Sequence, residues 1–350
     1  MIESQIKQWD GETVILHFDH PTGAWIIIAV HSTRLGPATG GTRMKHYSTL
    51  NDAVGDALKL AQGMTYKFAV PGLPLGGGKA VINLPESFEQ SSRPDLLRRY
   101  GSLIKQLGGL YYTGSDVGTS SSDMDIIAET GAPYVFSRTP SAGGAGSSGP
   151  FTAIGVFAGI QVACEHLYGE PSLKGRKVLV QGTGSVGGTL IDLLVDADAD
   201  VLFSEVDEVQ IKHYRDDKGL NFVPVEEVFV TECDVFSPCA LGGVLNSVTI
   251  SMLKCRAVVG GANNQLTEPE DGERLQKAGV LYAPDYVVNV GGAMGITGME
   301  TLGWSKVQAE KNVTETVRET LHQVFSLVES ENITPEVAAQ SIADERLSAS

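Results

Sequence analysis

The chain has 350 residues, 42% hydrophobic and 19% charged, and its acidic residues outnumber the basic ones to leave a net charge of −16. That much apolar material excludes disorder as the main state, and so negative a field excludes nucleic acid and anionic membrane as general partners. At roughly 150 residues per domain, two domains are expected.

In chain order, the opening MIESQIKQWD lacks the basic-then-apolar pattern of a leader, and the longest apolar stretch near it, Trp25 to Val30, is far too short to cross a bilayer. A soluble cytoplasmic protein is expected. Thr13 to Phe18 and Trp25 to Val30 read as strands, and residues 50 to 67 as a helix. Two lysines in this half have unusual settings. Lys67 follows Leu60 and Met64 at helical spacing, so it continues an apolar stripe; by position alone it either serves a site or complements a helix C-terminus. Lys79 closes a glycine run, Gly76-Gly77-Gly78, ahead of the apolar Ala80-Val81-Ile82, and reads either as a site lysine or as a loop lysine.

Ser141 to Pro150 is almost all small residues and reads as a flexible, solvated hinge. An apolar helical run follows over residues 151–168, and from there strands and helices alternate to about residue 290. Ser305-x-x-Gln308 is a capping box that opens a long helix, with Val313, Val317, Leu321, Val324 and Val328 on one stripe; Thr334-Pro335 then restarts a short one. The expected division is a substrate-binding domain over 1–140, a hinge over 141–150, and a nucleotide domain over 151–328, with 329–350 returning to the first. The cysteines at 164, 233, 239 and 255 form no CxxC pair and no HExxH occurs, so reduced thiols and no metal site are expected.

Lys177 to Gln181 is a short strand that runs into Gly182-Thr183-Gly184-Ser185-Val186-Gly187, a GxGxxG that opens a helix. The first glycine makes the turn, the second lets backbone approach a pyrophosphate, and the third lets helix and strand pack closely. The next strand ends at Glu205, about twenty residues on, where a carboxylate holds ribose hydroxyls. Glu205 repels a 2′-phosphate and residues 201 to 210 carry no Arg or Lys, so NAD is expected rather than NADP. Cys239 and Asn264 are placed on the same cofactor side.

Taken together, GPATGGTR, MTYK, GLPLGGGK, TGSDVGTSSSDMD, QGTGSVGG, GGANNQL and YAPDYVVNVGG, in that order, resemble the glutamate, leucine, phenylalanine and valine dehydrogenase superfamily over about residues 24 to 330. The resemblance implies an N-terminal α/β catalytic domain and a doubly wound Rossmann-type domain separated by a cleft that closes about the hinge, in a homo-oligomer. It implies that Lys67 binds the substrate carboxylate, Lys79 is the catalytic lysine, Asp116 transfers protons, Asn264 lies between substrate and nicotinamide, and Thr152 is near the carboxamide. Gly41 and Met64 are counted with the substrate site. The implied reaction is NAD-dependent oxidative deamination of an L-amino acid to a 2-oxo acid and ammonia. An isolated lysine titrates near ~10.4; partial burial beside a second ammonium, a part given to Lys67, lowers Lys79 to where it exchanges protons.

Thr39 stands where the glutamate enzymes carry a lysine, so glutamate is disfavoured. Gly114 and Ala293 stand where leucine dehydrogenases carry alanine and valine. Read as an enlarged pocket with Ile296 as an apolar wall, these positions make L-phenylalanine the expected substrate, with leucine or valine as the alternative. A Thr39 hydroxyl favours tyrosine or tryptophan. A rival of another class is a non-catalytic NAD-binding paralogue, which the presence of Lys67, Lys79 and Asp116 opposes. A 2-hydroxy-acid dehydrogenase needs a catalytic histidine, and none of the seven histidines sits in such a motif.

Overall fold

The computed structural model describes residues 2–349. It resolves into two compact units. The first holds the chain up to Ser147, together with Ile296–Gly303 and the stretch from Ala343 on; the second holds Ser148–Gly295 and Trp304–Ile342. The boundary after Ser147 falls inside the expected hinge over 141–150, while the division differs in two places: the returning stretch starts at Ala343 rather than 329, and part of a late helix groups with the first unit.

The first unit starts with helix α1 (Ile2–Gln8) and is built on a five-stranded sheet of order β1-β2-β4-β3-β5: β1 (Thr13–Asp19), β2 (Ala24–Ser32), β3 (Ala38–Lys45), β4 (Gly76–Asn83) and β5 (Tyr111–Ser115). β1 and β4 run antiparallel to β2, while β3 is parallel to both β4 and β5. Helix α2 (Leu50–Ala69) covers one face; Ala53, Val54, Ala57, Leu58 and Ala61 meet Ile27, Ala29 and Val81 there. On the other face α3 (Arg93–Gln106) and α4 (Ser121–Gly131) bring Leu96, Leu97, Tyr100, Met124 and Ile127 against Ile26, Ile28, Val30, Ala80 and Ile82. Covered on both faces, β2 has the continuous apolar run of a central strand instead of alternation.

The glycine run Gly76–Gly78 is strand, not loop. A Cβ on Gly77 would lie 2.1 Å from the Thr65 backbone nitrogen of α2, and one on Gly78 would lie 2.8 Å from the Tyr111 ring. Glycine is what lets helix and neighbouring side chain approach this strand.

The supposed hinge is also more ordered than its composition suggests. Thr139 bonds the Asp125 carboxylate through its N–H and its hydroxyl, Pro140–Ala142 forms a helical turn, and the Gly144 N–H donates to the Thr139 carbonyl at 2.8 Å.

The second unit begins with α5 (Gly149–Tyr168) and contains a six-stranded parallel sheet of order β11-β10-β9-β6-β7-β8: β6 (Lys177–Gln181), β7 (Asp200–Ser204), β8 (Asn221–Phe222), β9 (Cys233–Pro238), β10 (Cys255–Val258) and β11 (Leu281–Tyr282). From β6 the chain winds outward to β7 and β8, then returns to β9 on the other side. The carboxyl ends of β6 and β9 therefore flank the topological switch point where such sheets bind ligands. The helices in between are α6 (Ser185–Asp196), α7 (Glu208–Lys212), α8 (Ser247–Met252) and α9 (Glu270–Lys277), and α10 (Asp285–Val288) follows β11.

α5 is long and apolar enough to cross a membrane, but it is a core helix: Cβ atoms on Gly155 and Gly159 would strike the Val288 carbonyl and side chain. α11 (Gly291–Thr301) precedes α12 (Lys306–Glu331), which opens with the Ser305/Gln308 capping box and buries Val313, Val317, Leu321 and Val324. α13 (Pro335–Ser348) follows.

Candidate active site

In the first unit the strand register assembles the site. β3 lies between β4 and β5, pairing Thr39 with Gly77 and Tyr112, Gly41 with Gly114, and Thr42 with Ala80 and Ser115. A Cβ on Gly41 would come within 2.9 Å of the Asp116 Cβ, so the bare backbone there makes room for that side chain. The Asp116 N–H donates to Thr119 Oγ1 at 2.9 Å, and Thr119 Oγ1 in turn donates to the Thr42 carbonyl at 2.8 Å. These bonds fix Asp116 just beyond the end of β5.

Lys79 is 5% exposed, and its Nζ lies 2.9 Å from Asp116 Oδ2. The same oxygen accepts from Arg43 Nε at 2.9 Å, while Arg43 Nη1 reaches Asp56 Oδ2 at 3.0 Å. Tyr47 Oη donates to that same Asp56 oxygen at 2.5 Å. Burial pushes the Lys79 ammonium down, and the Arg43 charge pushes the same way; Asp116 and Asp56 oppose them without restoring the ordinary lysine value. Burial pushes the Asp116 carboxyl up, but Lys79 and Arg43 outweigh it and hold it below the usual carboxylate range. One repulsive charge beside Lys79 is therefore Arg43, a residue to which the sequence assigned no role. Lys67 sits half-buried in the last turn of α2, and Met64 is half-buried one turn before it.

Two pocket expectations need correction. Gly114 does not leave space for a substrate ring, because a Cβ there would sit 2.3 Å from the Phe136 ring; the protein's own aromatic fills the volume. Thr39 is 1% exposed and its hydroxyl donates to the Pro37 carbonyl at 3.0 Å, so its proton is already committed within the chain. Ile296 is 2% exposed and groups with this first unit.

Next to the site, Glu300 anchors the segment after Phe136. Its side chain is 3% exposed; Oε1 accepts from the Ser137 and Ala145 N–H groups, both at 2.9 Å, and Oε2 accepts from Arg138 at 3.3 Å. Ser137 Oγ lies 2.7 Å from Ser115 Oγ, the neighbour of Asp116. Nothing local in the sequence marks Glu300, since its partners lie over 150 positions away.

In the second unit the GxGxxG segment has the backbone that its glycines require. Gly182 adopts φ +90° in the left-handed region, and a Cβ on Gly187 would strike the Gly182 carbonyl at 1.9 Å. Gly184 is the N-cap of α6, with open space around it and no side-chain cap. Ser185 and Val186 form the first turn that follows. A helix start whose N-cap glycine offers no side-chain cap fits a pyrophosphate. Glu205, beyond the end of β7, accepts from the Thr183 N–H at 2.7 Å and the Thr183 hydroxyl at 2.9 Å. Burial raises its carboxyl, and these bonds with the Val206 and Asp207 N–H groups bring it below the ordinary glutamate value.

Cys239, half-buried, faces Gly187 and Gly261 from the end of β9. Thr152 is buried in α5, its hydroxyl donating to the Ser148 carbonyl at 3.1 Å, and Gly292 leaves room for that oxygen. Asn264 is exposed with φ +53°, and its carbonyl accepts from Gly243 at 2.7 Å. Ala293 is half-buried in the first turn of α11.

Two family models match this chain: the Glu/Leu/Phe/Val dehydrogenase dimerisation domain over residues 20–132, and the glutamate/leucine/phenylalanine/valine dehydrogenase model over residues 202–350. The chain belongs to the glutamate, leucine, phenylalanine and valine dehydrogenase family. It is an amino-acid dehydrogenase. A leucine dehydrogenase of Geobacillus stearothermophilus is 39% identical over 98% of this chain and 92% of its own length. A valine dehydrogenase of Streptomyces virginiae is 41% identical over 97% of this chain and 95% of its own. The crystal structure of an L-tryptophan dehydrogenase from Nostoc punctiforme superposes with a TM-score of 0.86 at 35% identity, covering 100% of this chain and 99% of that one. The family's fold, with a parallel Rossmann-type sheet in the second of two α/β units, is the one described above.

Proposed function

We propose that the chain catalyses the reversible NAD-dependent oxidative deamination of a branched-chain L-amino acid, leucine or valine. The observation that carries this reading is the Phe136 ring in the volume that Gly114 leaves open. It removes the argument for an aromatic substrate and agrees with relatives named leucine and valine dehydrogenases along nearly the whole chain. The expectation of phenylalanine gives way to this one. A second reading, L-tryptophan, has the likeness to the Nostoc punctiforme enzyme in its favour.

Gly182 to Gly187 would hold NAD, with Glu205 at the adenosine ribose, and the bound cofactor would supply the acceptor for the hydride of the α-carbon. The chain's residues do the rest. The Lys67 ammonium holds the substrate carboxylate. Lys79 has the lowered affinity for its proton that a general base near neutral pH needs; in its neutral form it takes a proton from the water that adds to the imine carbon. Asp116, ionised at the outset, takes that proton from the Lys79 ammonium 2.9 Å away and passes it to the departing nitrogen, and the neutral Lys79 then receives the proton of the adduct's hydroxyl. The carbon–nitrogen bond then breaks to leave ammonia and the 2-oxo acid. Glu205 in its ionised form disfavours a 2′-phosphate, which supports NAD over NADP. The description of residues 20–132 as a dimerisation domain supports a homo-oligomer, which native mass measurement tests.

The test of substrate is NADH absorbance with purified protein and single L-amino acids, with NAD and NADP compared. Leucine or valine with NAD is expected to turn over fastest. Fastest turnover with tryptophan moves the assignment to the second reading, and fastest turnover with phenylalanine or glutamate overturns both.

A further inference from the structure

Asp116 Oδ2 receives two cations at once, Lys79 Nζ and Arg43 Nε, each at 2.9 Å. The two nitrogens are therefore within about 6 Å of each other, a range in which like charges act strongly on one another's protonation. Arg43 is not free to swing away. Its Nη1 is held by Asp56, which also takes the Tyr47 hydroxyl, and the Arg43, Asp116 and Asp56 side chains are only about a fifth to a quarter exposed. A planar guanidinium spans two carboxylates in this way, whereas a lysine, a single point charge, does not.

We propose that Arg43, backed by Asp56 and Tyr47, is a positioning residue for this reaction: it holds Asp116 against Lys79 and places a permanent positive charge beside the lysine that must give up its proton. The proposal rests on the assignment of Lys79 and Asp116 given above. The charged and titratable groups seen against the Lys79–Asp116 pair include Arg43 from β3, Tyr111 from β5 and Asp56 from α2, with Tyr47 behind Asp56, and Lys67, assigned above to the substrate carboxylate, is on the same helix as Asp56. Tyr111 stays neutral, its phenol pushed well above the ordinary value by burial. Arg43 works against a proton on Lys79, and Asp56 works for one. Removing either charge while leaving the catalytic pair intact thus has opposite consequences.

The experiment is the pH profile of kcat for oxidative deamination at saturating amino acid, with thermal melting as the folding check. Asp56→Asn leaves the guanidinium with one anion fewer and is expected to move the rising limb to lower pH. Arg43→Gln is expected to move it to higher pH by about one pH unit and to lower the plateau as Asp116 loses its brace. If Arg43→Gln does not fold, Arg43→Lys replaces it. That variant keeps the charge but bonds only one carboxylate, so it is expected to leave the limb within a few tenths of a pH unit of wild type and to lower the plateau.

Limbs that coincide with wild type in the folded Asp56→Asn and Arg43→Gln variants, or that move in the same direction, overturn the proposal; with Arg43→Lys in use, so does an unchanged plateau. Lys79→Ala in parallel separates the two readings. A dead Lys79→Ala with unmoved limbs sinks only the role of Arg43, while an active Lys79→Ala sinks the assignment of the catalytic pair.

Discussion

Gly114 shows how a single missing methyl group is read in two ways. From the sequence it was vacant volume for a substrate. In the structure the Phe136 ring, 8% exposed, occupies it. An alanine at this position must push the ring aside, and overpacking of this kind costs about 1–3 kcal/mol. Gly114→Ala is expected to lower the unfolding free energy measured by urea titration by that amount, and Phe136→Leu in the same chain to recover most of it, because the two sites share one volume. Additive losses would show that the ring is not what fills the space. The pairing of Arg43 with Asp56 was equally hidden. The motif Gly40-Gly41-Thr42-Arg43 was visible, but its partner stands 13 positions away on a different element, and only the packing of α2 on the sheet brings them together.

Among elements, the ones that repeat a backbone requirement were legible. The GxGxxG turn needs particular dihedrals whatever surrounds it, and the capping box of α12 closes on itself within four residues. β4 was missed at its glycines because their reason lies in the tightness of α2 and Tyr111 against it, a long-range fact. α13 carries another such fact. Both carboxyl oxygens of Glu336 are buried and no other residue bonds them, although the residue as a whole is partly exposed. Burial pushes this carboxyl up to about 8 from an ordinary 4.5, and Asp285 adds to the rise. The folded value lies above the unfolded one, so the stability gained by keeping Glu336 neutral is complete below 4.5 and is lost as pH rises toward 8. Glu336→Gln is expected to flatten the fall in urea stability between about pH 5 and pH 8 and to be the more stable chain at the upper end by a few kcal/mol. An unchanged slope would mean that the carboxyl reaches water.

At the scale of the whole molecule, the number of units and their fold class were legible in the alternation of strands and helices and in the order of motifs. The membership of late segments was not. Ile296–Gly303 and the stretch from Ala343 on belong with the first sheet, and Glu300 and Arg346 supply bonds that the earlier residues lack. Residues 1–147 expressed alone are therefore expected to show reduced helix signal and ready proteolysis after Phe136. A cooperative melt like that of the full chain would contradict this account.

Arg346 donates to the Ala69 carbonyl at 3.1 Å and also to the Val70 carbonyl, closing the end of the helix that carries Lys67. The donor comes 276 residues after Val70. On a ribosome working at about 5–20 residues per second, that helix end waits roughly 15–55 s for its partner. Through that interval the nascent chain has an open helix end and an incomplete first unit, a period in which a chaperone has something to hold.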